Sequence, residues 1–328
     1  MSEQIPESMT AVVAPSSGGP EVFEERTVPV PEPSGTQLLV RTKATGVNFI
    51  ETYQRSGVYD VPYPFVPGSE AVGVVVAAGP GAVNAAVGDR IATSQAAATY
   101  AQYFVVDDDK AVRIPEGIDP VDAACVPLQG VTAHYLVRST YPVSASDTVL
   151  FHAGAGGVGG LAIQMIKNLG ARVITTVSSD EKERIALGHG ADHVVRYEDF
   201  ADRTRELTDG RGVDVVYDSV GKTTFEDSLT TLKPRGMAVL FGGASGQVPP
   251  FDLQRLNSMG SLYVTRPSTG AYLRDRRELE WRMGELFDDI LAGRLKISHD
   301  QSFPLTDAAG AHEYLEARKT RGKVLLEP

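Results

Sequence analysis

The stretch VLFHAGAGGVGGLAIQMIKNLGA, residues 149–171, decides the fold of this chain. An apolar strand pattern runs into a glycine-rich turn, and the turn opens a segment with the apolar spacing of a helix. Gly154, Gly156 and Gly159 satisfy the spacing G-x-G-x-x-G. Glycines here let backbone N–H groups approach a pyrophosphate, which the helix dipole also favours. In this strand-to-helix context the turn predicts a dinucleotide site; the alternative is a tight turn without a ligand.

The residues that follow alternate between strand and helix patterns. The strand candidates are TVLFHA, ARVITTV, ADHVV, VDVVYDS, GMAVLFGG and SLYVTR. Segments with helical periodicity lie between them. This rhythm predicts βαβ units and therefore an α/β fold with a Rossmann-type, doubly wound parallel sheet.

The two ends of the chain have a different pattern. Val-rich candidate strands at 11–14, 37–47, 70–79 and 102–107 predict a β-rich first third. A helix is expected over 119–139 with Asp119 as its N-cap, and further helices near 275–292 and 306–318 before the closing strand KVLLEP. We therefore predict a substrate domain in two pieces, 1–128 (with 1–9 as a loose extension) and 269–328, around a Rossmann domain at 129–268.

Composition restricts the function classes. The 328 residues carry a net charge of −11, which argues against nucleic acid as a main partner. No apolar run approaches the roughly 20 residues of a membrane-spanning helix. The first nine residues lack the pattern of a signal peptide, so a cytoplasmic location without membrane attachment is expected. The one cysteine, Cys125, excludes an internal disulfide and a four-cysteine zinc site.

The residues after the second Rossmann strand favour NADPH over NADH. An NAD site places Asp or Glu about 20 residues beyond the glycine turn, but here Ser178 and Ser179 follow ARVITTV. Hydroxyls accommodate a 2′-phosphate, and Lys182 is one helical turn further on. Asp180 fits a helix N-cap or first-turn acid. The alternative is an ordinary capped helix with a solvated lysine.

Several motifs, in order from Thr10 to Pro328, resemble one family: the zinc-free NADPH:quinone oxidoreductases, the zeta-crystallin-like branch of the medium-chain dehydrogenase/reductase superfamily. They are GVNFIETYQRSGVY, PFVPGSEAVGVV, AAGPGAVNAAVGDRI, LQGVTAHYLV, HAGAGGVGGLAIQMIKNLGA, VYDSVGK, FGGASG and GSLYVTRPS. The resemblance implies a GroES-like substrate domain and a Rossmann domain, with the cofactor in the cleft between them. Ser69 and Asn48 stand where zinc-using members keep His and Cys, so no metal is expected. Glu70 is interpreted as a structural ion-pair partner.

The resemblance also implies the site residues. Asn48, Tyr53 and Tyr59 are the expected catalytic residues, with Tyr53 or Asn48 stabilising charge on the acceptor and Tyr59 shaping the pocket. The expected cofactor contacts are Asn48, Phe49, Tyr53, Thr132, Gly154, Gly156, Gly157, Val158, Gly159, Ser178, Lys182, Tyr197, Ser219, Phe241, Gly242, Ser245, Val264, Arg266 and Arg318. Each of these residues could instead have a purely structural role. Asn48 could be a turn residue, Thr132 could cap its own helix, and Arg266 could form an ion pair. His152 is expected to be buried at the end of its strand.

The function that these residues favour is NADPH-dependent reduction of quinones or other electron-poor acceptors. A close alternative is the reduction of activated C=C bonds, as in enones or enoyl thioesters. A non-enzymatic, crystallin-like NADPH-binding protein is a third reading. A homodimer is expected, because SLYVTR has the character of an edge strand that can pair with its twin.

Overall fold

The computed structural model describes residues 4–328. By its internal contacts the chain forms two compact units. The first, which we call the β-rich unit, comprises the described residues up to Leu128 together with Asp275–Leu291 and Ile297–Pro328. The second, the Rossmann unit, comprises Gln129–Arg274 and Ala292–Lys296. The predicted boundary at 268/269 thus lies a few residues before the contacts return to the β-rich unit.

The helices and strands follow each other in three blocks. The N-terminal block contains β1 (Ser8–Val13), β2 (Glu24–Pro29), β3 (Gln37–Val47), α1 (Phe49–Arg55), β4 (Ala71–Ala78), β5 (Arg90–Thr93), β6 (Tyr103–Asp107), β7 (Val112–Arg113) and α2 (Pro120–Ala124). The middle block contains α3 (Gln129–Tyr135), β8 (Thr148–Phe151), α4 (Gly157–Asn168), β9 (Arg172–Val177), α5 (Asp180–Gly188), β10 (His193–Arg196), α6 (Phe200–Leu207), β11 (Val213–Asp218), α7 (Phe225–Thr230), β12 (Leu232–Leu240), α8 (Gln254–Ser258) and β13 (Tyr263–Thr265). The C-terminal block contains α9 (Arg276–Leu291), β14 (His299–Pro304), α10 (Ala308–Glu316) and β15 (Lys323–Glu327).

The Rossmann unit is built on one parallel sheet. Its strand order is β10-β9-β8-β11-β12-β13, and every neighbouring pair is parallel. This is the Rossmann order, with the switch point between β8 and β11. Strands of such a sheet are buried where helices cover both faces, and every residue of β11 is buried. The predicted doubly wound sheet is confirmed.

The β-rich unit is organised around β3. This strand pairs with β4, β6 and β15 in a seven-stranded sheet, and β1 and β2 form a separate antiparallel pair. Apolar side chains from β3, β4, β5 and β6, among them Leu38, Val75, Ile91 and Phe104, pack into one buried cluster. Burial of such side chains stabilises by about 1.5–3 kcal/mol each. At the end of β3, Val47 is buried and pairs with Val324 of β15, and α1 begins two residues later.

Two local predictions are wrong. The single helix expected over 119–139 is interrupted after α2, because Pro127 has no N–H to donate and its ring clashes with a continuing helix. The chain resumes as α3 and ends in a π-helical turn at Leu136–Thr140. The predicted cap is confirmed, since the Asp119 carboxylate accepts a hydrogen bond from Val121 N at 2.8 Å.

The extension predicted at 1–9 is also too long. Ser8 and Met9 belong to β1, where they pair with Pro29 and Val28, and Met9 is buried. Residues 1–3 lie outside the described part of the chain. Between residues 4 and 328, none of the helices has both the length and the apolar character required to cross a bilayer.

Candidate cofactor and substrate site

The glycine-rich turn ends where α4 begins. Gly156 is the N-cap of this helix, and the first helical bond runs from Gly160 N to Gly156 O at 2.8 Å. The preceding helical N–H groups have no helical carbonyl to bond. They belong to Gly157, Val158 and Gly159. A Cβ at Gly159 would collide with the carbonyl oxygen of Ala153, so only glycine permits this turn. The result is a set of N–H donors at a helix N-terminus, which suits a pyrophosphate.

The parallel sheet brings the predicted cofactor residues of the Rossmann unit to one edge. Each strand is followed within a few residues by one of them: Gly154 after β8, Ser178 after β9, Tyr197 after β10, Ser219 after β11, Phe241 after β12 and Arg266 after β13. Because all six strands of this sheet are parallel, their carboxyl ends meet along the same edge. Ligands of open α/β sheets bind there.

The turn after β9 carries the residues predicted for the 2′-phosphate. Ser178 is exposed, and Ser179 caps α5 by accepting a hydrogen bond from Lys182 N at 3.3 Å. Asp180 is the first residue of α5, which confirms its role as a first-turn acid. Lys182 is half-buried one turn into the helix.

Arg196, the last residue of β10, contacts this turn and is not among the residues predicted from the sequence. Its guanidinium donates to Ser179 O at 2.9 Å, to the Asp180 carboxylate at 2.5 Å and to the Glu183 carboxylate at 2.6 Å. The sequence feature that could have identified Arg196 is its position at the carboxyl end of a predicted strand, which pairs with β9 in the structure.

Tyr197 packs on a buried polar network. Its ring stacks on the imidazole of His152, with centroids 6.1 Å apart. His152 bonds to Thr176 Oγ1 at 3.0 Å and to Ser228 Oγ at 2.9 Å, and Ser228 donates its own proton to Asp218. Burial lowers the pKa of His152, although the Asp218 carboxylate opposes this. His152 is buried at the end of β8, as predicted.

Ser219 and Ser245 lie in two loops that are locked together. The Asp218 carboxylate accepts bonds from Val220 N at 2.8 Å and Gly221 N at 2.9 Å, which fixes the loop containing Ser219. Ser245 Oγ donates to Val220 O at 2.7 Å and accepts from Thr223 N at 3.0 Å. The single hydroxyl proton of Ser245 is therefore used in a hydrogen bond between the two loops. A contact of Ser245 with the cofactor stays a prediction.

The ends of β12 and β13 carry the next predicted residues. Phe241 N and Gly242 N both donate to Asp218 O, at 2.8 and 3.3 Å. Val264 is exposed within β13, and Arg266 Nη1 donates to Leu240 O at 3.3 Å. The guanidinium of Arg266 thus lies at the same sheet edge as the glycine turn.

Thr132 is buried in α3 beside Tyr135. Burial raises the pKa of Tyr135, while side-chain hydrogen bonds with Thr269 and Thr132 lower it. The ring of Tyr135 stacks on Tyr272 with centroids 4.5 Å apart. The side chain of Thr132 therefore forms a hydrogen bond with the side chain of Tyr135, which goes beyond the alternative role as a cap of its own helix.

In the β-rich unit, three predicted residues form an aromatic row: Phe49 and Tyr53, which belong to α1, and Tyr59, which follows that helix. The ring centroids of Phe49 and Tyr53 are 6.3 Å apart, and those of Tyr53 and Tyr59 are 5.4 Å apart. Tyr59 N donates to Tyr53 O at 3.0 Å, which fixes the second contact. Arg318 is exposed directly after α10, with a φ of 56°, and its cofactor contact stays a prediction.

Asn48 begins α1 and is part of a buried ionic cluster. Its Nδ2 donates to Glu70 Oε2 at 3.0 Å, and its Oδ1 accepts from Lys323 Nζ at 2.6 Å. Lys323 and Glu70 form an ion pair that is completely buried, which confirms the interpretation of Glu70. Glu70 Oε1 also accepts from Leu128 N at 2.7 Å. The amide of Asn48 is thus oriented from both sides, and its catalytic role stays a prediction.

Glu51 is a second buried carboxyl group in this cluster. Its Oε2 accepts a hydrogen bond from Asn48 N at 2.8 Å, and its Oε1 has no partner among the described residues. Burial raises the pKa of Glu51 to about 8; Lys323 opposes the shift and Glu70 adds to it. A neutral Glu51 leaves one positive and one negative charge in the cluster, Lys323 and Glu70, which balance each other.

The comparisons with known proteins match both units. Residues 34–116 match the alcohol dehydrogenase GroES-like domain, and residues 157–285 match the zinc-binding dehydrogenase family. The chain is 46% identical over 315 residues to a quinone oxidoreductase of Pseudomonas aeruginosa, covering 95% of this chain and 97% of that protein. The chain belongs to the quinone oxidoreductase family. It is therefore an oxidoreductase, and the resemblance that its motifs indicated is confirmed.

Two further relatives extend this family assignment. A quinone oxidoreductase of Escherichia coli, solved in complex with NADPH, has a TM-score of 0.95 and 43% identity, covering 97% of this chain and 100% of that one. A 2-haloacrylate reductase of a Burkholderia species is 40% identical over 97% of this chain and 98% of its own length. The family matches cover the GroES-like and Rossmann parts that the sequence predicted.

Potential metal ligands are scattered rather than clustered in the described part of the chain. Among residues 4–328, no group of three or more His, Cys, Asp or Glu side chains could hold a metal ion. Cys125 is buried, and burial raises the pKa of its thiol to about 12.

Replacing Glu51 with Gln is expected to flatten the pH dependence of stability. The native protein keeps a proton on Glu51 up to about pH 8, whereas the unfolded carboxyl, with a pKa of 4.5, has already released it. The free energy of unfolding of the native sequence should therefore fall as pH rises between these values, by at most about 1.4 kcal/mol per pH unit. Above about pH 8 this group should contribute no further change.

Denaturant unfolding at several pH values measures this difference. The amide of the Glu51→Gln variant retains an oxygen acceptor for Asn48 N, so the variant should fold. Glu32→Gln, which changes an exposed carboxylate of the same unit, is the control and should keep the native slope. Equal slopes for Glu51→Gln and the unmodified chain would show that Glu51 is ionised in the native state.

Proposed function

We propose that this quinone oxidoreductase relative uses NADPH to reduce quinones or similar electron-poor acceptors. The observation that carries the proposal is the shared sheet edge. There, the N–H donors of α4 stand one strand away from a turn with Ser178 and Lys182, and no acid occupies the position expected for NAD. The NADPH complex of the Escherichia coli relative supports the same cofactor.

The residues of the chain would bind and orient the reactants. The N–H groups of Gly157, Val158 and Gly159 would hold the pyrophosphate. Ser178 and Lys182 would hold the 2′-phosphate, with Tyr197 beside them. NADPH, when bound, supplies the hydride.

The aromatic row would provide the surface for the acceptor. Phe49, Tyr53 and Tyr59 offer flat apolar faces that suit a quinone ring. The Tyr53 hydroxyl or the Asn48 amide would stabilise negative charge on the acceptor oxygen as it develops. Glu70 and Lys323 fix the orientation of that amide, so it needs no reorganisation during the reaction.

We further propose that the enzyme is zinc-independent, cytoplasmic and homodimeric. Ser69 and Asn48 stand where zinc-using members of the superfamily keep ligands, and the Asn48 amide is bonded to Glu70 and Lys323. The acidic charge and the single buried cysteine are compatible with the cytoplasm. The dimer is supported by β13, which is the last strand of its sheet and exposes Tyr263 and Val264.

A second candidate is the reduction of activated C=C bonds. It is favoured by the 2-haloacrylate reductase relative, whose name describes an alkene conjugated to a carboxylate. Such a reaction uses the same hydride donor, but it must also protonate the neighbouring carbon. In the aromatic row, the hydroxyls of Tyr53 and Tyr59 would be the groups to supply that proton.

Mixing the protein with NADPH and benzoquinone or phenanthrenequinone tests the main proposal. NADPH absorbance should be lost at least about tenfold faster than in the protein-free control, which corresponds to about 1.4 kcal/mol in the barrier. NADH in place of NADPH should be the poorer donor. Faster turnover with alkenals or crotonyl thioesters than with any quinone would favour the second candidate. A rate equal to the protein-free control for every acceptor would contradict both.

Zinc independence predicts that a chelator does not change the rate. Quinone reduction should be the same before and after dialysis against a strong chelator, because no proposed step uses a metal ion. Elemental analysis should find less than about one zinc ion per ten chains, since a catalytic site of this type holds one metal per chain. A stoichiometric zinc ion whose removal abolishes the rate would contradict zinc independence.

If the protein is a homodimer, light scattering should give a mass near twice the chain mass of 35.1 kDa. Tyr263→Lys should shift the mass toward a single chain, because two positive charges would meet where the β13 edges pair. Val83→Lys is the matched control, since it also places a charge on an exposed apolar residue, but in the β-rich unit. A single-chain mass for the unmodified protein would contradict the dimer.

A further inference from the structure

Arg196 lies next to the proposed position of the 2′-phosphate, which is the group in which the two coenzymes differ. Arg196 is the last residue of β10 and stands opposite Val177, the last residue of β9. Ser178 follows Val177 directly, so the guanidinium of Arg196 and the proposed 2′-phosphate position belong to the same corner of the sheet edge. The inference therefore rests on the proposed use of NADPH.

The first turn of α5 presents a charge problem for that coenzyme. Asp180, Glu181 and Glu183 all lie within this turn. Acids at a helix N-terminus favour the helix. A 2′-phosphate bound beside them carries up to about two negative charges, and like charges at short distance repel each other. Without compensation, this turn would favour NADH.

Arg196 compensates two of these acids directly. One guanidinium nitrogen, Nη2, donates to both the Asp180 and the Glu183 carboxylates. Nη1 donates to Ser179 O, so the same side chain also holds the backbone of the turn that presents Ser178. The Asp180 side chain is 97% exposed, and its carboxylate lies 2.5 Å from Arg196 Nη2.

These ion pairs are not expected to contribute much to the stability of the fold. Side-chain exposure is 32% for Arg196 and 39% for Glu183, and ion pairs exposed to this degree contribute little to folding. What they affect instead is the position of the negatively charged Asp180 and Glu183 carboxylates. We propose that Arg196 is a specificity-determining residue for the coenzyme: it holds the Asp180 and Glu183 carboxylates and neutralises part of their charge, which permits a phosphate beside Ser178.

Calorimetric binding of NADPH and NADH to three variants tests this inference without measuring turnover. In Arg196→Met, the Kd for NADPH should rise about tenfold, while the Kd for NADH should change by less than about twofold, because only the phosphate senses the released carboxylates. In the triple variant R196M/D180N/E183Q, the preference for NADPH should return, because the repelling charges are gone.

Arg255→Met is the matched control. It breaks an exposed arginine–carboxylate pair of the same unit, between Arg255 and Glu226, and should leave both Kd values unchanged. Thermal unfolding of each variant shows whether the fold is retained. If Arg196→Met fails to fold, Arg196→Gln replaces it; loss of the positive charge should again weaken the binding of NADPH alone.

The outcomes separate this inference from the proposed function. If the unmodified chain prefers NADH, the proposed coenzyme is wrong and the inference falls with it. If the unmodified chain prefers NADPH and Arg196→Met keeps the same preference, only the inference is overturned. If Arg196→Met weakens NADPH but the triple variant does not recover, Arg196 binds the phosphate itself, and charge neutralisation is overturned.

Discussion

The parallel alignment of the Rossmann strands is the constraint on which the candidate site depends. Residues between Gly154 and Arg266 are far apart in the chain, and they come to one edge only because every strand of the sheet runs in the same direction. Parallel pairing requires crossover helices, and α4 is the first of them. The glycine turn is therefore both the start of this crossover and the proposed anion-binding end of the candidate site. The positions of the other predicted cofactor residues of this unit are likewise set by the sheet.

A different constraint governs the β-rich unit. Glu70 and Lys323 are completely buried, and each charge would be strongly unfavourable without the other. Lys323 belongs to β15, which pairs with β3, so the ion pair ties the C-terminal strand to the segment around Asn48. Both charges also bond to the side chain of Asn48, the N-cap of α1, and Phe49 and Tyr53 of the aromatic row lie on that helix. A fixed row is useful for a flat ligand, because little conformational freedom is lost on binding.

The sequence predicted features that depend on local patterns. The β8–α4 turn, the order of strands and helices and the N-cap at Asp119 are all local, and the structure has them as expected. The partners of Glu70 and Arg196 are not local. Lys323 and Glu70 are separated by most of the length of the chain. The sequence pattern of KVLLE does not indicate which acid its lysine pairs with. The helix break at Pro127 was visible, but the helical spacing on both sides of it concealed the interruption.

The burial of Cys125 has a consequence for survival in the presence of quinones. Quinones are electrophiles that add to thiolates, so a protein that handles them risks arylation by its own reactant. Cys125 is only 2% exposed, and with a thiol pKa of about 12 it is almost entirely protonated at neutral pH. Since it is also the one cysteine of the chain, the folded enzyme presents no thiolate for such an adduct. The fold thereby protects this cysteine from the class of molecule that the enzyme is proposed to reduce.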